Sequence, residues 1–406
     1  MTNDAPAPTS PGSPSTATMT RGRTLLFAVA GGAAVGNLYW AQPLLGIIGG
    51  DLDVSPASTG LLITVTQVGY ALGVFFIVPL GDRVDRRRAV PLIMLLSALA
   101  LAASAAAPSF PLLLVALTLV GLTTVAGQML TPLAGDLATD ADRGRVVGTV
   151  ASGLILGILV SRAISGLVAD ALGWRAVYVV AAVLLVVLAA LMARSVPSLP
   201  RRAAAPYRQL LWSVLTTVAR RRQVRVSLVI GASVMAVFTM FWTGLTFLLS
   251  AEPYGWSPAQ IGLVSIVGVA GAVGAQRAGR LFDRGLSLPA IGVGLAVTLV
   301  SLVVAGLGGD SLVVVLIAVA LLSVGIQSSQ VLLQTRLLSL DPAARSRLNT
   351  AYVVGNFVGG SIGSALAGAV WPVGGWPALM VLSAVLIGVA GTVWAVHRRR
   401  GLVDAG

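Results

Sequence analysis

The chain has no cysteine and no lysine, and its one histidine, His397, lies close to the C-terminus. Without cysteine it forms no disulfide, no thiolate nucleophile and no thiolate metal site. One histidine excludes the histidine clusters that bind zinc. The phosphate-binding loop Gly-x-x-x-x-Gly-Lys-Ser/Thr requires lysine, so this chain does not bind ATP through that motif.

Charge is scarce as well. Only 10% of the 406 residues are charged and 56% are hydrophobic, whereas soluble domains average about 25% and about 45–50%. This composition excludes an ordinary soluble domain and a disordered chain. It suffices for about twelve membrane spans of ~20 residues each, with short loops and no large soluble domain.

Twelve apolar runs follow one another along the chain, each with boundaries accurate to about four residues. Most have the length that crosses a bilayer, and helices are expected because backbone polar groups in lipid must bond within the segment. The sequence therefore predicts an all-α polytopic membrane protein. The runs lie near 24–48, 58–80, 89–107, 110–134, 146–169, 175–193, 224–250, 258–277, 288–307, 311–335, 349–370 and 376–396.

The net charge of +13 comes from arginines, and their positions indicate orientation. If the N-terminus lies inside, 25 of the 27 arginines fall in inner loops and tails; Arg175 faces outward and Arg162 lies within a span. This is the positive-inside pattern, and it predicts a plasma or inner membrane protein with both termini cytoplasmic. The arginines are scattered over short segments, so no continuous basic face indicates nucleic-acid binding.

An internal repeat divides the chain into two halves of six spans. Several residues recur at an offset of 202, and Gly173-Trp174-Arg175-Ala176 resembles Gly375-Trp376-Pro377-Ala378. Six spans per half place the pseudo-axis along the membrane normal. The predicted segments are a disordered tail at 1–20, a first bundle at 21–193, a cytoplasmic linker at 194–222, a second bundle at 223–397 and a cytoplasmic tail at 398–406.

The loop after span two carries a family signature. It reads Gly-Asp-Arg-Val-Asp-Arg-Arg-Arg at 81–88, and with twelve spans in two halves it resembles the major facilitator superfamily of secondary transporters. The family pattern is Gly-x-x-x-Asp-Arg-x-Gly-Arg-Arg/Lys, in which Val78 and Asp85 replace the two glycines. The matching residues here are Asp82, Arg83, Arg86 and Arg87.

Other residues extend the resemblance. In the second half Gly279, Asp283 and Arg284 match the same loop pattern. The sequences Asn37-x-Tyr39-x-x-Gln42-Pro43 and Gly157-x-x-x-x-Arg162 resemble the bacterial efflux branch that includes sugar, nucleoside and drug exporters. Two features of that branch are missing: its usual span-four arginine, and the proline that follows glycine in span five, where Ile158 follows Gly157.

The resemblance implies a conformational latch in these loops. Asp82 is expected to cap the start of span eleven, since a carboxylate favours a helix N-terminus, and Arg86 is expected to pair with Asp136. The alternative, which we favour for Arg87 and Arg88, is that the arginines only set topology. The predicted latch residues are Gly81, Asp82, Arg83, Arg86, Asp136, Gly279, Asp283 and Arg284.

Arg162 is the one charged residue deep in a span. It lies ~24 Å from the inner end of span five at 1.5 Å per residue, and an arginine at a span centre costs ~2.5–3.5 kcal/mol. Its repeat equivalent is Ser364, so the fold itself does not require the charge. Arg162 either faces the cavity, where it binds an anionic or polar substrate or changes partners between states, or extends to the outer surface. Gln42 and Asp51 are its expected neighbours.

Other polar residues in the spans are candidates for the cavity, although each may be read instead as a link between helices worth ~0.6–2 kcal/mol. Aromatic residues of span seven, Phe238, Phe241 and Trp242, either line the cavity or pack at the outer interface. Substrate sites in such carriers lie near the midplane between the halves. The cavity candidates are Asn37, Tyr39, Gln42, Gln128, Arg162, Tyr352 and Asn356.

These observations together predict a secondary transporter that alternates between inward-open and outward-open states and exports a small organic molecule in exchange for protons. Because the fourteen acidic residues all lie in loops or at span ends, the candidate proton sites are Asp51 and Asp136. We expect a monomer in the lipid bilayer, with no cofactor and no enzymatic activity. A uniporter or importer of the same fold is the alternative, and a receptor or channel is a more distant one.

Overall fold

A computed structural model describes residues 19–81, 83–197 and 206–398. Asp82 and parts of the predicted tails and linker therefore lie outside the described residues. The described chain is almost entirely helical, with fifteen α-helices joined by short turns. Consecutive spans alternate in direction, because each connection is too short to cross back along the bundle.

The first half contains helices α1 to α8. Span one is divided between α1 and α2, with a short 3-10 turn at Gln42–Leu44, and span four is divided between α5 and α6. The helices are α1 Arg21–Gly36, α2 Leu45–Asp51, α3 Pro56–Leu80, α4 Arg86–Ala105, α5 Phe110–Thr123, α6 Ala126–Leu137, α7 Arg143–Leu172 and α8 Trp174–Ser195.

The second half follows a linker helix, α9. Span eight is divided between α11 and α12 by a 3-10 turn at Ser265–Gly268, and a second 3-10 turn at Pro342–Ala344 precedes α15. The helices are α9 Tyr207–Arg220, α10 Arg222–Ser250, α11 Pro258–Val264, α12 Val269–Asp283, α13 Ser287–Leu307, α14 Leu312–Ser339 and α15 Arg345–His397.

Ten helices of the described chain are long and apolar enough to cross a membrane, and twelve spans are consistent with this count. Helix α15 has 53 residues, or ~80 Å at 1.5 Å per residue, more than twice the ~30 Å hydrocarbon core. At Gly375 its backbone leaves the helical region, with φ 56° and ψ −147°. Glycine adopts this left-handed conformation without steric cost, so α15 comprises spans eleven and twelve.

Span one differs from the single helix predicted over 24–48. Helix α1 ends at Gly36, and Leu38 and Tyr39 donate to carbonyls three residues back, those of Val35 and Gly36, at 3.1 Å and 2.9 Å. Pro43, at the start of the 3-10 turn, has no N–H to continue the helical ladder. The chain crosses this region as a tightened turn rather than as regular α-helix, and the turn presents Asn37, Tyr39 and Gln42 to neighbouring spans.

Each half buries its own apolar cluster. Phe27, Tyr70 and Tyr178 are among the largest fully buried side chains of the first half, and Phe241 is one in the second. In a bilayer, packing and close approach of small residues hold helices together, because the lipid is as apolar as the side chains. The two clusters leave the contact between the halves to a few helix pairs.

Two helix pairs form the seams between the halves. In the two–eleven seam α3 packs on the first part of α15, and in the five–eight seam α7 packs on α11. Thr64 and Ser364 are hydrogen-bonded across the first at 2.9 Å, and Ser257 donates to Asp170 across the second at 2.6 Å. These contacts lie toward one end of the molecule, opposite α9. We call it the closed end, and the other the linker end.

Helix α9 lies at the linker end. The Tyr207 hydroxyl donates to the carbonyl oxygen of Phe76 at 2.7 Å, and Arg221, just after α9, pairs with Asp341 at 2.7 Å. The Arg221 guanidinium holds the pKa of the Asp341 carboxyl below its ordinary value. Contact between the halves is weaker at the linker end than at the closed end. Among the described residues, the main packing partners of α6 are α1 and α7, which both belong to its own half.

Candidate functional site

Arg162 lies on α7 beside the five–eight seam. Its side chain is buried, with 2% of the residue exposed, and its Nε donates to Gln42 Oε1 at 2.5 Å. Gln42 is therefore the neighbour that the sequence predicted. Asp51, the other expected neighbour, instead accepts from Arg175 and Trp174 at 2.5 Å and 3.0 Å.

Aromatic rings surround the Arg162 guanidinium. Its Cζ lies 4.3 Å from the ring centroid of Trp242, 4.7 Å from that of Tyr39 and 5.5 Å from that of Phe238. A cation over an aromatic face is attracted by the ring quadrupole, more strongly once desolvated. Tyr39 belongs to the first half, whereas Phe238 and Trp242 belong to α10 of the second half. Arg162 thus bridges the halves, and its burial contradicts the alternative in which it extends to the outer surface.

Three buried donors in this cluster have no hydrogen-bond partner in the described structure: Gln42 Nε2, Arg162 Nη2 and Trp242 Nε1. Buried polar groups are normally paired, because an unpaired one costs about 1–3 kcal/mol. The cluster formed by Tyr39, Gln42, Arg162, Phe238 and Trp242 is called the arginine cage below.

Asn37 sits in the turn that ends α1, and its amide is fully used within the first half. Its Nδ2 donates to Thr124 Oγ1 at 2.8 Å and to Ser97 Oγ at 3.4 Å, and its Oδ1 accepts from Trp40 Nε1 at 2.9 Å. Thr124 lies at the break between α5 and α6. These contacts favour the alternative in which Asn37 links helices, here across spans one, three and four.

Gln128 lies near mid-depth on α6 and donates to the Tyr70 hydroxyl at 3.0 Å. The Tyr70 ring packs against Phe357 of α15, with centroids 4.4 Å apart. Tyr70 belongs to the first half and Phe357 to the second, so Gln128 is one hydrogen bond from the two–eleven seam. This contact does not include the arginine cage.

Tyr352 and Asn356 meet at a third glutamine, Gln330 on α14. The Tyr352 hydroxyl and Asn356 Nδ2 both donate to Gln330 Oε1, the second at 3.0 Å, and Gln330 Nε2 donates to the Gly231 carbonyl at 3.3 Å. The Oδ1 atom of Asn356 is buried without a partner in the described chain. The seven cavity candidates therefore fall into separate groups, with Tyr39, Gln42 and Arg162 together in one of them.

The predicted ion pair of the first-half loop is present. Arg86 Nη1 lies 2.9 Å from Asp136 Oδ2, and Arg86 Nε donates to the Gly81 carbonyl at 3.3 Å. Asp85, which replaces a family glycine, caps α4 by accepting from the Arg87 backbone at 3.0 Å. Asp82 lies outside the described residues, so its contact with span eleven stays a prediction.

The remaining latch candidates are at the surface. Arg83 is exposed, as are Asp283 and Arg284 where α12 ends. A Cβ placed on Gly279 would have no neighbouring atom within 4 Å. The latch role of these residues stays a prediction.

Asp51 is at the closed end, where α2 ends. Hydrogen bonds from Arg175 and Trp174 hold the pKa of its carboxyl below the ordinary value. A carboxylate held ionised in this way does not take up a proton near neutral pH in this conformation.

Sequence reasoning missed the residues that join the halves. These residues are short and polar and belong to no family motif: Thr64, Ser364, Asp170 and Ser257. A single sequence gives no sign of which helices meet. Gln330 belonged to the polar span residues but was indistinguishable from its neighbours. The one available signal for the seams was the offset of 202 residues between Arg162 and Ser364, which places the two residues at equivalent positions of the two halves.

Sequence comparisons identify the family. The sequence model of the Major Facilitator Superfamily matches residues 26–343. The uncharacterized transporter YgaY of Escherichia coli O157:H7 is 37% identical over 377 residues, which are 92% of this chain and 96% of that protein. The protein named "Probable transporter SCO4007" from Streptomyces coelicolor is 33% identical over 376 residues, covering 92% of this chain and 87% of its own.

Solved structures agree in fold. A bacterial homologue of the human lysosomal transporter Spinster, in an inward-facing and occupied conformation, matches with a TM-score of 0.73 at 15% identity, over 93% of this chain and 96% of that one. The nucleoside transporter NupG matches with a TM-score of 0.74 at 13% identity, over 92% and 99%. The family match spans most of the sequence, and so this chain, a multi-pass membrane transporter, belongs to the major facilitator superfamily.

Proposed function

We propose that the protein is a secondary transporter that works by alternating access and exports a small organic molecule across the inner membrane in exchange for protons. The observation that carries this proposal is the packing of the two halves against each other at the closed end. Two bundles that meet at one end and separate at the other form one state of a rocking carrier. A receptor or a channel has no need of two such states.

The arginine distribution supplies a direction for this state. Under the positive-inside rule the linker end, with its basic loops and α9, is cytoplasmic. The conformation then faces the cytoplasm, from which an exporter takes its substrate. Both termini are cytoplasmic in this arrangement, and the functional unit is the monomer, because each chain contains both halves.

The ion pair of Arg86 with Asp136 is expected to act in the opposite state, in which the closed end is open. It lies at the end where the halves must meet once the closed end opens. In our proposal Asp82 then caps α15, and the pair positions the loop for that contact. Breaking the pair is expected to change the balance of states rather than membrane insertion.

Proton coupling requires a carboxylate that changes protonation during the cycle. Asp51 is a poor candidate in this conformation, since its partners hold it ionised. Asp136 is the carboxylate that the proposal retains. A carrier without a responsive carboxylate works as a uniporter, which is the alternative for the same fold.

A disulfide across the two–eleven seam tests alternating access. The chain has no cysteine, so a double variant with Thr64→Cys and Ser364→Cys has a single pair. The two parent hydroxyl oxygens are 2.9 Å apart, so the two thiols replace atoms that are already in contact across the seam, and a disulfide needs an S–S distance of about 2.0 Å. Oxidation is expected to stop substrate counterflow, and a reductant to restore it. Full counterflow in the cross-linked protein would refute rocking about this seam.

A matched pair within one half serves as the control. A Cβ on Gly306 would lie 3.2 Å from the Cβ of Met380, and both positions are at the closed end of the second half. Oxidised Gly306→Cys with Met380→Cys is expected to keep its counterflow, because the cross-link does not join the halves.

Substrate and coupling need separate measurements. A growth-inhibition panel in a host lacking exporters, comparing wild type with Arg162→Ala, selects substrates for proteoliposome assays. Saturable flux that dissipates an imposed pH gradient supports antiport. Flux that does not depend on the pH gradient indicates the uniporter, and uptake of the substrate into cells indicates an importer.

A further inference from the structure

The arginine cage contains a buried positive charge without a carboxylate. In the described chain the ion pairs join other residues, and Arg162 makes one hydrogen bond, to Gln42. Aromatic faces offset part of the cost of burying a cation, but they do not neutralise it. The seam does not require this charge, since the equivalent Ser364 closes the other seam with a neutral hydroxyl.

The unpaired atoms of the cage are all donors. Arg162 Nη2, Gln42 Nε2 and Trp242 Nε1 carry hydrogens and have no acceptor within the described structure. Gln42 is bonded to Arg162, and the Trp242 ring centroid is 4.3 Å from Arg162 Cζ, so the three residues belong to one cluster. What the cluster lacks is an acceptor, and one with negative charge also neutralises the guanidinium.

The aromatic walls of the cage restrict the kind of molecule that could bring the negative charge. Tyr39, Phe238 and Trp242 present aromatic faces, which favour a flat or apolar body beside the charged group. A cationic substrate is repelled by Arg162, and a neutral one leaves its charge uncompensated. Since the cage lies between the halves, near the region where carriers of this kind bind substrate, its occupant is transported rather than structural.

We propose that Arg162, Gln42 and Trp242 form the subsite for the carboxylate of an organic anion with a flat apolar body. This inference rests on the proposed transport function and assigns it a substrate class. The planar guanidinium fork matches a carboxylate in two hydrogen bonds, which a lysine does not offer. The amide of Gln42 and the indole of Trp242 are further unpaired donors in the same cluster.

The test compares carboxylates with their neutral amides on the purified full-length protein. Benzoate and indole-3-acetate are the probes, and benzamide and indole-3-acetamide match them in shape without the charge. A ligand that binds the folded state raises the melting temperature. We expect the two carboxylates to raise it in a saturable way and the amides to leave it unchanged.

Two variants locate the effect. Arg162→Gln is expected to abolish the carboxylate response, whereas Arg336→Gln keeps it. Arg336 is the matched control because it is a partly buried arginine in the last turn of α14, where it donates to Ser287 Oγ at 3.1 Å. Trp242→Phe keeps an aromatic face and removes one donor, so it is expected to weaken carboxylate binding about tenfold. This variant provides the answer if Arg162→Gln does not fold.

Three results would overturn the proposal. They are a wild-type protein that responds to none of the carboxylates, equal responses to carboxylates and amides, and an undiminished carboxylate response in Arg162→Gln or in Trp242→Phe. The melting assay needs no flux, so it separates this inference from the proposed mechanism. Carboxylate binding without any pH-dependent flux would refute proton coupling and leave the subsite standing.

Discussion

Two seams join the halves, and they are built from equivalent residues. In the two–eleven seam a Cβ on Gly368 would lie 2.4 Å from the Ala57 carbonyl oxygen; in the five–eight seam one on Gly166 would lie 2.1 Å from that of Pro258. Gly60 and Gly262 lie on the other helix of each seam, and they are related by the same offset of 202 residues. At Gly368 and Gly166, only glycine permits the backbones to approach so closely.

The seams differ in the residue that Gly60 and Gly262 face. It is Ser364 in one seam and Arg162 in the other. Ser364 forms a short hydrogen bond to Thr64, whereas Arg162 reaches into the aromatic residues of the opposite half. The same glycine framework closes with a neutral side chain in the two–eleven seam, so closure alone does not explain the buried charge of Arg162.

The two seams also differ in how closely the backbones approach at Gly60 and Gly262, and this difference gives the largest predicted effect on transport. A Cβ on Gly262 would lie 2.4 Å from the Arg162 carbonyl oxygen, whereas one on Gly60 would lie 3.3 Å from that of Ser364. Gly262→Ala is expected to lower transport about 100-fold, or ~2.7 kcal/mol, because two backbones must separate. Gly60→Ala is expected to stay within about twofold, since a small shift relieves it.

A buried cysteine reports whether the seam has opened. Ser265 is fully buried in the five–eight seam, and its hydroxyl donates to the Leu159 carbonyl at 2.9 Å. In a Ser265→Cys background, Gly262→Ala is expected to increase labelling by a membrane-impermeant maleimide, and Gly60→Ala is not. Equal labelling of both would remove the distinction between the seams.

Making the seams alike is the next test. Arg162→Ser gives the five–eight seam the residue of the other, and we expect transport to fall at least tenfold, by about 1.4 kcal/mol or more. The melting temperature is expected to hold or rise, because replacing a buried charge without an ionic partner removes its desolvation cost. A lower melting temperature with activity proportional to the folded fraction would show that Arg162 is structural.

How far the sequence predicted these features depends on the range of the interaction. Most helix positions and the contact of Arg162 with Gln42 followed from hydropathy and helical rise. The bond of Arg86 to Asp136 followed from a family motif. The turn after Gly36 did not follow, because Asn37 is held there by Thr124, which is distant in sequence. Phe238 and Trp242 were named as possible cavity residues, but their contact with Arg162 did not follow from the sequence, because they come from the other half.

A third comparison concerns the loops at the linker end. Asp136 pairs with Arg86 at 2.9 Å, whereas Asp283 of the second half lies at the exposed end of α12. Asp136→Asn is expected to reduce transport about fivefold, because it removes a charge-assisted bond worth about 1 kcal/mol in this setting. Asp283→Asn is expected to have a smaller effect. Surface expression and substrate counterflow, measured together, separate loss of function from loss of insertion.

The smallest effect is expected at Asp51, which the sequence offered as a proton site. Its pKa is lowered by Arg175 and Trp174, so the stability that it contributes is present above its unfolded pKa and is lost as the pH falls through the lower folded value. Across about pH 5 to pH 8 the carboxylate therefore remains ionised in this conformation. Asp51→Asn is expected to leave the shape of the pH profile of transport unchanged in that range. A profile that shifts in this variant and not in Asp136→Asn would reverse the assignment and place proton exchange at the closed end.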